Sequence, residues 1–133
     1  MGTKILKYGM LTIIGFLIII IGSRIQQTGS TKTGEYYYSS FLNNNYTVFT
    51  GSLFCVAGIL TGYFFKLNPW LAGLALILIF PLVSFYEATV YRGSHNLIPF
   101  ELVMYFLYSL PAIVGAYLGK IIANRVAIAK HGQ

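Results

Sequence analysis

Charge is what this chain has least of. Asp, Glu, Lys and Arg together make up 9% of its 133 residues, against about 25% in ordinary globular proteins. Too little polar surface is left for a soluble monomer. A composition that is 56% hydrophobic also excludes intrinsic disorder. The single cysteine, Cys55, excludes a disulfide scaffold and a dithiol redox pair. No His, Asp, Lys or Arg falls in the middle of any long apolar run. Haem ligation by paired membrane helices is excluded with them, because His95 and His131 both lie outside the runs. Ser52, Ser84 and Ser109 supply hydroxyls, but no base sits within a helical turn of any of them. Their expected role is a bond to a carbonyl four residues back or to a neighbouring helix. Neither a cofactor nor a resident metal is expected.

What is present is long apolar sequence, and the mean hydropathy is +0.70. A helix needs roughly 20 apolar residues to cross a hydrocarbon core of about 30 Å. Four stretches qualify, at about 6–23, 46–65, 69–86 and 99–119. The first is rich in isoleucine, which favours strands in water. In lipid an open strand leaves backbone groups unsatisfied, so a helix is expected there too. The fold class expected is all-α: a polytopic four-transmembrane-helix bundle in a single domain over 1–133. The first stretch has the basic start of a secretory signal, Lys4 and Lys7. Ile21 in Ile21-Gly22-Ser23 fits a cleavage site poorly, so a retained anchor is expected.

Basic residues set the orientation. Lys4, Lys7, Lys66, Lys120, Arg125 and Lys130 fall on one side, and Arg24, Lys32 and Arg92 on the other. Six against three places both termini in the cytoplasm. The segment 24–45 is then an external loop, and 120–133 a basic cytoplasmic tail able to lie against anionic lipid. The net charge of +6 is spread along one edge, as this sorting requires, so nucleic acid is not an expected partner. The second half of the loop carries Tyr36-Tyr37-Tyr38, Phe41 and Tyr46, rings suited to the headgroup layer or to a partner protein. In the turn 65–69, Asn68 is placed to cap the third helix, with Pro69 at its first position. Pro81 and Pro111 lie inside spans and should kink them, freeing the carbonyls of Ile77 and Leu107. Ser84 and Ser109 are near enough to serve those carbonyls.

Two features stand out. The stretch from Glu87 to Glu101 gathers two of the three acids with Arg92 and His95. It reads as a polar mouth able to accept a proton, a cation or an anionic group, or as the supports of a helix start. Glu101, just inside the fourth span, ranks first among these candidates, followed by Arg92, His95 and Glu87. Two carboxylates and a histidine could in principle hold a divalent metal. The second feature is small-residue spacing. Gly51, Cys55, Gly58 and Gly62 share one face of the second span, and Gly115, Gly119 and Ala123 one face of the fourth. Such faces let helices approach closely, within one bundle or between two copies.

The expected function is a non-enzymatic accessory or interaction role, exercised through helix faces and the external Tyr-rich loop in a bacterial inner membrane. Its partners would be the bilayer and either a second copy or another membrane protein. The alternatives are an oligomeric small-solute or ion transporter using the 87–101 cluster and, more remotely, an enzyme acting on lipid headgroups there.

Overall fold

The computed structural model describes residues 2–27, 34, 36–91 and 98–131. Among them the chain is helical with no strand. Its elements are α1 (Gly2–Gln26), α2 (Tyr37–Asn45), α3 (Val48–Phe65), α4 (Pro69–Ile77), α5 (Ile79–Val90) and α6 (Ile98–His131). Three of these, α1, α3 and α6, are long and apolar enough to cross a membrane. The bent pair α4–α5 makes a fourth candidate if it is taken as one span.

Helix boundaries follow local chemistry. Thr47 caps α3, its hydroxyl accepting from the Thr50 N–H at 3.3 Å. Lys66 then ends α3 in the left-handed region, at φ 49°. The Asn68 side chain accepts from the Trp70 N–H at 3.0 Å, and Pro69 opens α4, so this turn has the expected chemistry. Pro81 has no N–H to offer the Ile77 carbonyl. The helix breaks at Leu78, and α4 and α5 meet at 44°. Around the break the Leu78 N–H donates to the Ala75 carbonyl at 3.3 Å. Pro111 behaves differently and lies within an unbroken α6. At about 1.5 Å per residue the 34 residues of α6 span about 51 Å. The helix therefore runs on from the apolar segment into the basic tail.

Several expectations need correction. The segment 24–45 is not all loop, since its last nine residues form α2. The reason is tertiary: Ser39, Leu42 and Asn45 are buried against the bundle. The stretch expected as a third span, 69–86, is the bent pair α4–α5, and its helix continues past residue 86, to Val90. The serines near the prolines do not bond the freed carbonyls, although Ser84 does bond a neighbouring helix, as expected of it. Ser84 pairs with the Tyr105 hydroxyl at 2.6 Å, and Ser109 donates to the Phe106 carbonyl at 2.6 Å. Ser52 does bond four residues back, to the Val48 carbonyl at 2.9 Å.

Packing is built on small residues. α6 contacts α3 most extensively, then α4, and α1 lies on α4. α3 and α6 run parallel, because Gly58 opposes Ala112 and Gly62 opposes Ala116, four residues further along both helices. A Cβ added at Gly58 or Gly62 would lie 2.2 or 2.1 Å from those carbonyl oxygens. One added at Gly115 or Gly119 would lie 2.1 or 2.0 Å from the carbonyls of Cys55 and Ile59. The two small faces thus meet each other within one chain, backbone against backbone. Gly15 lies against Leu76, and Gly73 against Ile113, in the same way. Gly51 differs, with only the Tyr46 ring near it, at 3.6 Å. Ala123 is half-buried on α6 beyond Gly119. On the opposite face of α3, Val56, Leu60 and Phe64 point outward. Small residues inside and large apolar ones outside suit a hydrocarbon surround rather than water. The large core side chains are Phe54, Phe80, Leu76, Ile19 and Leu11.

Candidate functional site

The polar groups collect at one end of the bundle, where α2 crosses the ends of α1, α5 and α6. Glu87 sits in the last turn of α5 and is fully buried. Its carboxylate accepts from the backbone N–H of Tyr38 at 2.7 Å and of Ser39 at 3.2 Å. Those are N–H groups of the first turn of α2, which no carbonyl inside that helix can satisfy. Tyr36, at the cap position, makes no side-chain cap bond. The acceptor is supplied instead by a different helix, about 50 residues away in sequence. A carboxylate there also complements the positive end of the helix dipole.

One turn earlier on α5, the Ser84 hydroxyl bonds the Tyr105 hydroxyl at 2.6 Å. Tyr105 in turn donates to a Glu101 oxygen at 3.3 Å. This chain of three side chains links α5 to the first two turns of α6. Glu101 is half-buried, whereas Glu87 is the fully enclosed carboxylate. Arg92 and His95 lie outside the described residues. Among the described residues no group of three or more His, Cys, Asp or Glu is placed to hold a metal ion.

The C-terminal end of α2 is fixed as well. The Thr50 hydroxyl, buried in the first turn of α3, donates to the Asn45 carbonyl at 2.8 Å. The Gln26 amide reaches the same hydroxyl from α1 at 3.2 Å. Gly22 faces Thr50 and leaves room for it. Tyr46, in the link between α2 and α3, stacks on Tyr108 with ring centroids 4.0 Å apart. Its hydroxyl donates to the Tyr108 carbonyl at 2.6 Å. Burial, then the neighbouring Tyr108, push the Tyr46 hydroxyl up to about 12, so it remains a donor at any physiological pH.

Beside this end lies a cavity of about 710 Å³ between α1, α2 and α5. Phe16, Ile20, Ile79 and Val83 form its apolar part. Ser23, Arg24 and Gln27 line its polar end, and Tyr38 and Leu42 its α2 wall. Read from the sequence, Arg24 had only a part in orientation. The signal for more was its spacing, since Phe16, Ile20, Arg24 and Gln27 fall on one helical face. Tyr105 also escaped notice, and the partners of Ser84 and Tyr46 could not be named, because they lie on other helices. No protein-family model, no curated protein and no solved structure matches the chain, so its site is to be read from its own residues.

Proposed function

We propose that this chain is a four-span protein of a bacterial inner membrane, with both ends in the cytoplasm, acting as a non-enzymatic accessory protein. The observation that carries this reading is the use made of the polar groups. Glu87 holds the start of α2, and Thr50, with Gln26 behind it, holds the end. Both serve to seat a short helix across the end of the bundle. The orientation rests on the six-to-three distribution of Lys and Arg. The α3 and α6 small faces are turned toward each other. The surface left for a partner is then α2, whose Tyr36, Tyr37 and Tyr38 are exposed. Aromatic rings are favoured anchors at interfaces.

The test is complementation of cells lacking the protein, with membrane levels checked by immunoblot. Glu101→Gln should restore the phenotype, because an amide can still accept from Tyr105. A Tyr37→Ala, Tyr38→Ala double variant should reach normal levels and fail. The opposite pattern, with loss confined to Glu101→Gln, would overturn this reading. It would favour a transporter that moves a proton or a cation at Glu101.

A further inference from the structure

The cavity between α1, α2 and α5 has an internal order. Along α1 its lining changes from Phe16 and Ile20 to Ser23, Arg24 and Gln27. At about 1.5 Å per residue this covers about 16 Å of helix. Apolar groups lie toward the middle of the span, and the polar groups at its end. Ile79 and Val83 extend the apolar part from α5. The described lining contains one cation and no acid. Arg24 is exposed and makes no ion pair among the described residues. A volume of about 710 Å³ falls within the range of about 300–1,000 Å³ typical of small-molecule sites. The α2 wall does not depend on a ligand for its place, since Glu87 and Thr50 hold its two ends.

We propose that this cavity binds one anionic glycerophospholipid from the adjoining leaflet. The phosphate lies against Arg24, and one acyl chain lies against Phe16, Ile20, Ile79 and Val83. The polarity gradient matches a lipid in its normal orientation. Arg24, the one cation of the described lining, selects an anionic headgroup, for which an arginine fork is well shaped. An arginine that merely snorkels to the interface would attract many lipids loosely. A built site retains one. The inference depends on the membrane placement of the bundle and is independent of the accessory role.

Native mass spectrometry of the purified full chain in mild detergent tests it, with phosphatidylglycerol or phosphatidylcholine added. The wild type should retain a single phosphatidylglycerol and much less phosphatidylcholine. Arg24→Gln should lower phosphatidylglycerol retention about fivefold, the effect of one basic side chain on anionic lipid. Ile20→Trp fills the apolar part and should lower retention of both lipids. Val83→Trp does the same from the opposite wall, should Ile20→Trp not fold. Lys120→Gln, on the far side of the membrane, should retain lipid as the wild type does. Unchanged selectivity in Arg24→Gln would overturn the proposal. So would undiminished retention in a folded tryptophan variant, or an equal loss in Lys120→Gln.

Discussion

Glu87 shows how one side chain can decide whether a neighbouring segment is ordered. Its two backbone partners, Tyr38 and Ser39, have no acceptor within their own helix. Glu87→Ala would leave them without that acceptor, Ser39 in a buried place, at a cost of about 1–3 kcal/mol. Hydrogen exchange at the amides of Tyr38 and Ser39 should accelerate in that variant, while the amides of α3 stay protected. Equal protection of α2 in variant and wild type would refute this role for Glu87. Tyr46 gives a second measurable effect. Its hydroxyl is raised in the folded chain from 10.0 to about 12. A group raised in this way stabilises the fold fully below pH 10, and that contribution is lost as pH rises toward 12. Unfolding in detergent should therefore ease over this alkaline window. Tyr46→Phe should be less stable at neutral pH, by about 1 kcal/mol for the lost bond to the Tyr108 carbonyl. It should also show a shallower alkaline decline.

At the scale of elements, the glycines of α3 are not equivalent. Gly62→Ala would set a methyl group 2.1 Å from the Ala116 carbonyl oxygen. The helices would have to part, at a cost of about 1–3 kcal/mol or more. Gly51→Ala meets only the Tyr46 ring at 3.6 Å. It should be neutral, or stabilising by about 0.5–1 kcal/mol through helix propensity. Thermal unfolding of the two variants in one detergent checks the contrast, and equal melting would show that α3 and α6 do not pack this closely. The elements most legible in the sequence were those with local signals. Asn68 with Pro69 marked the start of α4, and Pro81 marked the bend. α2 was not legible, because Tyr36 offers no cap and the acceptor that replaces it belongs to α5. For the same reason the roles of Ser84 and Tyr105 could not be read from spacing. Each finds its partner about 20 residues away, across a helix pair. Of the polar cluster, the sequence identified Glu87 and Glu101 as notable but ranked them by position along the chain. Burial marks Glu87 as the more enclosed of the two.

For the whole molecule, the orientation is the expectation most open to measurement. Reporter fusions at Lys66 and Lys120 should give cytoplasmic signals, and one at Lys32 an external signal. The basis is the uneven placement of nine basic residues. An external signal at Lys120 would invert the bundle and put the cavity, with Arg24, on the cytoplasmic side. The long apolar runs made helices long and apolar enough to cross a membrane plain from composition alone. Their arrangement was not plain, because glycine spacing marks a contact face without saying which helix it meets.

The most extensive helix contact among the described residues, that of α3 with α6, joins two helices that are not made in succession. The glycines of α3 wait for those of α6, which emerge about 60 residues later. At roughly 5–20 residues per second, translation leaves that face uncovered for roughly 3–12 s. On the proposed membrane reading, α3 then stands in the bilayer for those seconds with a groove of bare backbone and no mate. The interval is long enough for an insertion factor to shelter the groove, or for a quality-control protease to find it. A chain interrupted before Ile98 would leave it open for good. Such truncated chains should be cleared from the membrane faster than chains carrying Gly62→Ala, in which α6 at least arrives.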